Sequence, residues 1–316
     1  MRIAVLDDYQ NVALRLADWE SIGADAEIAV FNEHMSDEGA LATALVNFDI
    51  VVLMRERTPF PASLIEKLPN LKLLISTGAR NRSIDLEVAV NRGIIVCGTP
   101  LIPHPPAELT WALILAIVKD IPAEDAAMRQ GKWQTRLGRT LKGKTLGIVG
   151  LGNLGGQTAL IGQAFGMEII AWSQNLTDAR AAEFGAKRVA LDTLMSTADV
   201  VTIHLYLSQR TIGVIGRQEL SLMKPSAYLV NTARSPIIDE AALIDVLQNR
   251  KIAGAALDVF DVEPLPLNHP FRTLDNTIVT PHVGYVTEEG LSVMYGGVVE
   301  NIRAYREGRP VQQLRV

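Results

Sequence analysis

Three segments in the last third of the chain bring together a fixed cation, carboxylates and a titratable imidazole. NTAR supplies Arg234, DVFDVEP supplies Asp258 and Glu263, and TPH supplies His282. That set suits reduction of a carbonyl acid. Hydride delivery to a ketone builds negative charge on oxygen, so a positioned acid must donate a proton as the alkoxide develops. His282 can be that donor, because a carboxylate in contact favours the protonated imidazole, and Glu263 is the candidate carboxylate. Arg234 presents a planar fork that matches a carboxylate and stays charged, so it can anchor the acid and polarise its carbonyl. Taken singly, each residue has a plainer reading: Arg234 as a surface ion pair, Glu263 before Pro264 as a turn residue, His282 as a satisfied structural histidine.

Upstream lies TLGIVGLGNLGG, Thr145 to Gly156, an apolar run that breaks into Gly150, Gly152 and Gly155 before a helical pattern ending near Phe165 and Gly166. Gly150 allows a tight turn, Gly152 lets backbone approach a pyrophosphate, and Gly155 lets helix and strand pack closely. The amides at the helix start would face the phosphates. The plainer reading, an ordinary glycine-rich turn, does not need three glycines at this spacing.

The elements that must position these residues read as two α/β series. Apolar strands at Ile3–Leu6, Ile28–Phe31, Ile50–Met54, Leu71–Ser76 and Ile94–Cys97 alternate with helical patterns, which predicts a doubly wound parallel sheet. TPLIPHPP, Thr99 to Pro106, then sets four prolines in eight residues; it should interrupt helix and strand alike and is expected to be a hinge. Leu109–Val118 is a ten-residue, largely apolar run between Glu108 and Lys119, too short to span a bilayer and suited to a buried core or interface helix. A second series follows at Thr145–Val149, Glu168–Trp172, Val200–His204, Ala227–Asn231, Ala253–Leu257 and Thr277–Val279, six strands that suit a dinucleotide-binding sheet. Glu288–Arg306 reads as one long helix, with a tail expected to pack back on the first domain. The expected domains are therefore 1–99 with 287–316, and 100–286.

Composition sets the outer bounds. A chain of 316 residues is long enough for two ordinary domains. The net charge of −5, without a lysine or arginine run, gives no nucleic-acid or polybasic membrane footprint, so a small-molecule partner is expected. MRIAVLDDYQ enters a strand pattern at once, with acidic residues where an export signal would be apolar, and a cytoplasmic protein is expected. Cys97, the single cysteine, sits in the apolar IIVCG and reads as core. His34 and His269 read as loop residues and His104 falls in the proline run; no histidine or cysteine cluster has metal-ligand spacing, so no metal is expected.

NTARSPIIDE, ALDVFDVEP and TPHVGY, behind GLGNLGG, strongly resemble the D-isomer-specific 2-hydroxyacid dehydrogenases over nearly the whole chain. The resemblance implies a Rossmann-type dinucleotide-binding domain, a flavodoxin-like substrate domain and a cleft between them. It implies hydride transfer between NAD or NADP and C2 of a 2-keto or 2-hydroxy acid, in a homodimer. Arg234, Glu263 and His282 match the family's catalytic positions. Cofactor contacts are implied at Gly150, Gly152, Asn153, Leu154, Gly155, Ser173, His204, Thr232, Ala233, Arg234, Asp258, His282 and Gly284, with Asp258 assigned to the carboxamide and a helix or turn cap as its alternative. STGARNRSID resembles the family's glycine-rich carboxylate loop, where Gly78 and Ala79 would present amides to the acid; Arg55, Arg234 and His282 complete the implied substrate set.

The chain also departs from the family pattern. Ser173, in AWSQN, stands where an aspartate would grip the adenosine ribose of NAD, and no arginine follows at once to hold a 2′-phosphate, so NAD and NADP both remain open. Arg80 and Arg82 stand where a glycine and an aspartate are more usual; with Arg55 and Arg57 in MRERTP they raise the possibility of a second anionic group on the substrate, against the plainer reading of a solvated charged loop. HLYL carries Tyr206 where a proline is common. Two other readings compete: a dinucleotide-sensing corepressor-like interaction protein, and formate or phosphite oxidation on the same scaffold. Formate enzymes of this type carry glutamine at the His282 position, which ranks formate low; phosphite oxidation keeps a similar trio.

Overall fold

The computed structural model describes residues 1–315, which fall into two units, Met1–Ile102 with the chain from Val286 onward, and Pro103–Tyr285. The first unit holds five parallel strands, β1 (Arg2–Val5), β2 (Glu27–Val30), β3 (Ile50–Leu53), β4 (Leu73–Ser76) and β5 (Ile95–Cys97), in the order β2-β1-β3-β4-β5. That is the flavodoxin-like order, reversing between β1 and β3. Continuous apolar runs make β3 and β4 central: every residue of both is buried, as a parallel strand covered on two faces requires. Cys97 is buried, and burial pushes its thiol up to about 11, which leaves it inert core.

The helix Glu288–Arg306 belongs to this unit. Thr287 caps it by accepting from the Gly290 amide, and acidic residues lead its first turn while Arg303 and Arg306 occupy its last, matching the helix dipole. Trp19 packs on Tyr295 and Asn301 donates to the Gly98 carbonyl at 2.8 Å. The tail follows the same route: the Leu314 amide donates to the Val96 carbonyl at 2.8 Å, as expected for a segment packing back on the first domain.

The second unit holds seven parallel strands in the order β12-β11-β10-β9-β6-β7-β8: β6 (Thr145–Val149), β7 (Glu168–Trp172), β8 (Lys187–Arg188), β9 (Val200–Ile203), β10 (Tyr228–Asn231), β11 (Gly254–Leu257) and β12 (Thr277–Val279). The reversal falls between β6 and β9, the place where a doubly wound sheet opens a crevice for a dinucleotide. Alternate residues feed two cores: Val201, Leu229 and Ala255 join one cluster, Val200, Val230 and Ala256 the other. Six of the strands match the expected ones; β8 is additional, a two-residue exposed edge strand of Lys187 and Arg188 with no apolar pattern to announce it.

The boundary between the two units, at Ile102 and Pro103, falls inside the proline run. Pro105 and Pro106 do not interrupt a helix; they open one, Pro105–Val118, because proline in the first turn lacks only an N–H that would have no intrahelical partner anyway. The helix is a core helix of the second unit: the Trp111 indole N–H donates to the Thr158 carbonyl at 3.1 Å and its ring stacks on Phe165 at 4.9 Å. Among the described residues no helix is long and apolar enough to cross a membrane.

Candidate active site

Gly150 leaves β6 with φ +105, and a Cβ there would lie 2.7 Å from the carbonyl carbon of His204 and 2.8 Å from the Leu205 nitrogen. Only glycine therefore allows the turns after β6 and β9 to approach as they do at the switch point. A Cβ on Gly155 would overlap the Gly150 carbonyl, so the helix Asn153–Ala164 can sit on the turn only without one. Gly152 is the opposite case. It caps that helix with no side-chain hydrogen bond to its amides, and nothing lies within 4 Å of its would-be Cβ. A helix start whose cap offers its amides no side-chain acceptor, beside open space, suits a diphosphate, so Gly152, Asn153, Leu154 and Gly155 fit the dinucleotide.

Other expected cofactor residues also lie at the carboxyl ends of these strands. Ser173 follows β7, and no acidic residue takes its place at that strand end. His204 follows β9, half-buried, with Nε2 3.1 Å from the Thr202 hydroxyl; burial pushes its imidazole down to about 4, so it is neutral. Its backbone, pressed against Gly150, is what borders the crevice, while Tyr206 is 87% exposed. After β10, Asn231 accepts from the Ala233 amide and donates to the Arg234 carbonyl, fixing the turn that carries Arg234, and the Thr232 hydroxyl meets that of Thr110 at 2.7 Å.

Asp258, after β11, is 1% exposed. It accepts from the Thr280 hydroxyl at 2.6 Å and from the amides of Val283 and Gly284, each at 2.9 Å. Burial raises its carboxyl above the usual carboxylate range, against the pull of these donors. The turn cap weighed as an alternative for Asp258 is thus present, and the turn it caps is the one that bears His282.

His282 itself sits at φ +52, a left-handed conformation that costs a non-glycine residue about 1–3 kcal/mol and persists only where its surroundings impose it. Its Nδ1 is 2.6 Å from Glu263 Oε2. Glu263 Oε1 accepts from the Phe260 amide at 2.9 Å, so both carboxylate oxygens are directed by the protein. Burial opposes ionisation of Glu263, but the hydrogen bond and charge of His282, the Phe260 amide and the charge of Arg234 outweigh it and hold the carboxyl below the ordinary glutamate range. His282, by contact, and Arg234, by its charge, thus both favour the ionised carboxylate of Glu263. With Nδ1 engaged, His282 keeps Nε2 without a partner among the described residues.

The implied substrate residues of the first unit form their own group at the ends of β3 and β4. Arg55 is left-handed at φ +55, and its guanidinium occupies the space a Gly78 Cβ would need. One expectation is corrected here: the Gly78 amide donates to Thr99 Oγ1 at 2.7 Å and is not offered to a ligand, whereas Ala79, next along the loop, is exposed. Arg57 lies over the Tyr9 ring at 4.7 Å and donates to the Asp7 carbonyl at 3.2 Å, while Arg80 and Arg82 are exposed. Sequence reasoning passed over Asn81, which is 5% exposed and hydrogen-bonded to Arg55. Its one signal was an amide side chain inside an otherwise charged loop.

A doubly wound sheet with a glycine turn at its switch point and a histidine–glutamate pair beyond its carboxyl edge suits a dinucleotide-dependent oxidoreductase. Residues 111–284 match the family model described as D-isomer specific 2-hydroxyacid dehydrogenase, NAD binding domain. The chain belongs to the D-isomer-specific 2-hydroxyacid dehydrogenase family and is an enzyme of it with an NAD(P)-binding domain. It is 39% identical over 256 residues to a glyoxylate reductase of Aeropyrum pernix, covering 78% of this chain and 76% of that one. A D-3-phosphoglycerate dehydrogenase of Methanocaldococcus jannaschii is 39% identical over 312 residues, 98% of this chain but 58% of the relative, so this chain spans little more than half that protein's length. Among solved structures, a phosphoglycerate oxidoreductase from Vibrio cholerae O395 superposes with a TM-score of 0.93 at 38% identity, over 98% of this chain and 99% of that one. A D-lactate dehydrogenase from Aquifex aeolicus, solved with NAD and lactic acid, gives 0.78 at 26% identity, over 97% and 96%.

Proposed function

We propose that this enzyme interconverts 2-keto acids and D-2-hydroxy acids, with His282 as general acid in reduction and general base in oxidation. The observation that carries this reading is the left-handed His282 held through Nδ1 by Glu263, with Nε2 left for a ligand. The bound nicotinamide cofactor supplies or accepts the hydride. Glu263, kept ionised, fixes the imidazole tautomer and orientation, so that Nε2 carries the proton passed to the developing alkoxide. Arg234 takes the substrate carboxylate and polarises the C2 carbonyl through its fork. Asp258 Oδ2, which among the described residues accepts the Gly284 amide alone, keeps a lone pair for the cofactor carboxamide. On the first unit, Arg55 and the Ala79 amide take a substrate anion.

Oxidation of NADH and of NADPH, followed at the nicotinamide absorbance, tests the reading against glyoxylate, hydroxypyruvate, pyruvate and dicarboxylic keto acids. Turnover with at least one acid is expected, and the two cofactors decide what Ser173 leaves open. A preference for the dicarboxylic acids would assign the basic residues of the first unit to a second anion; equal or weaker turnover would remove that role. Silence across the panel with cofactor binding intact rejects the reading.

We further infer a homodimer. In the second unit Trp133 and Leu137 are 73% and 95% exposed, with Ile121 and Met128 also uncovered, which is large apolar area for one stretch of a monomer. Light scattering should give twice 34.4 kDa.

A further inference from the structure

We infer that Asn81 is a positioning residue for substrate recognition, acting by holding Arg55 in place; this rests on the reading that Arg55 meets the substrate anion. The left-handed region is disfavoured for a side chain with a Cβ, and within its own segment Arg55 has the long turn bond from the Arg57 amide to the Met54 carbonyl, 3.3 Å, to offset that at φ +55. The loop from Ser76 to Asn81 supports that conformation from outside the segment at three points. The Arg55 amide donates to Thr77 Oγ1 at 2.9 Å, its guanidinium NH1 donates to the Thr77 carbonyl at 3.1 Å, and its own carbonyl accepts from Asn81 Nδ2 at 2.6 Å.

Asn81 is suited to this by being saturated. Its other amide hydrogen goes to Ser76 Oγ at 3.0 Å, and its Oδ1 accepts from the Ser83 amide at 2.8 Å and the Ser83 hydroxyl at 2.6 Å. A buried primary amide with two donors and one carbonyl oxygen, all matched, has one orientation and cannot rotate without breaking several bonds. The amide therefore ties the end of β3 to the end of β4 at a fixed distance. The consequence falls on the guanidinium, which lies across Gly78 in space that glycine alone leaves open. Arg55 is thereby set beside the loop whose next residue, Ala79, is exposed, so that a cation and a backbone amide can meet one carboxylate together. Loss of the Asn81 bond would release the Arg55 backbone and weaken ground-state binding of the anion without touching proton transfer.

The test is a double-mutant cycle read as KM and kcat for keto acid reduction. Asn81→Ala should raise KM about 10-fold, with kcat within about 2-fold of wild type and NADH binding unchanged, as for a lost uniform-binding contact. In an Arg55→Ala background the same change should raise KM less than about 2-fold, since Asn81 acts through Arg55. Ser83→Ala, which removes one Asn81 partner but none of Arg55, should leave KM as it is. Should Asn81→Ala fail to fold, Thr77→Val removes the bond to the Arg55 amide at nearly constant volume and should give the same split. Equal KM effects with and without Arg55, or folded variants with wild-type KM, would overturn the inference while wild-type turnover left the proposed reaction standing. A wild type inactive on every acid would overturn both.

Discussion

Among the described residues the second unit contains two histidine–glutamate pairs, and they differ in what the second ring nitrogen does. His282 meets Glu263 at 2.6 Å; His269 meets Glu240 at 3.2 Å, with both side chains somewhat more buried than the first pair. Pair chemistry and burial are alike. The second ring nitrogen is not. His269 Nδ1 accepts from the Phe271 amide at 3.3 Å and caps the short helix Pro270–Arg272 while Nε2 faces Glu240, so both ring nitrogens are in use. His269 also has ordinary backbone geometry, φ −68, against +52 for His282. A structural histidine thus has both nitrogens satisfied by a relaxed chain, whereas the one at the site is held by one nitrogen on a strained turn.

The largest effect that could break this comparison is on turnover. His282→Ala should lower kcat by roughly 10²- to 10⁴-fold with NADH binding retained, the range for removing a general acid. His269→Ala, assayed beside it, should keep turnover within about 2-fold, because its ring touches no proposed reacting atom. Comparable losses in both would show that the free nitrogen is not what separates them. Arg234→Lys sharpens the same contrast from the substrate side. Lysine keeps the charge but not the fork, and kcat/KM should fall about 10²-fold through both KM and kcat. Wild-type kinetics would place Arg234 outside the site.

The effect of His269 should instead appear in stability. His269→Ala leaves Glu240 without its partner, and the other oxygen, Oε2, is already buried with no hydrogen bond. A loss of about 1–3 kcal/mol is expected from an unpaired buried polar group, read as a lower urea midpoint at unchanged slope. An unaltered midpoint would mean that this pair is not holding the fold.

The sequence made the His282 group legible for a physical reason: Arg234, Glu263 and His282 each lie in a compact motif just beyond a strand, and in a parallel sheet strand ends share one edge. The glycine turn was legible likewise, because Gly150 and Gly155 answer steric demands within a few residues of themselves. What stayed hidden depends on partners far along the chain. Asn81 reaches back 26 positions to Arg55, Gly78 donates to Thr99 across 21, and no periodicity encodes either contact. The same holds for His269, whose role is set by Glu240 at a separation of 29 residues. The prolines at 105 and 106 were visible as an interruption, but whether they end a helix or begin one depends on which side the chain finds its core.

The smallest expected effect concerns His204, a third histidine whose state is set by burial without a carboxylate. Its imidazole falls from 6.5 to about 4 in the folded chain. Below pH 6.5 the unfolded chain takes up a proton there, while the folded chain does so only near pH 4, so acid favours unfolding throughout that interval. The stability from His204 is therefore complete above pH 6.5 and is lost as the pH falls toward 4. Between about pH 7 and about pH 5.5 the loss from this one group is about 1 kcal/mol. His204→Gln cannot titrate, so its unfolding free energy should fall less across that range than wild type's, and the two curves should run parallel above about pH 7. Identical slopes across that range would mean that the imidazole is solvated in the folded chain, and that its backbone beside Gly150 carries the whole of its part in the crevice.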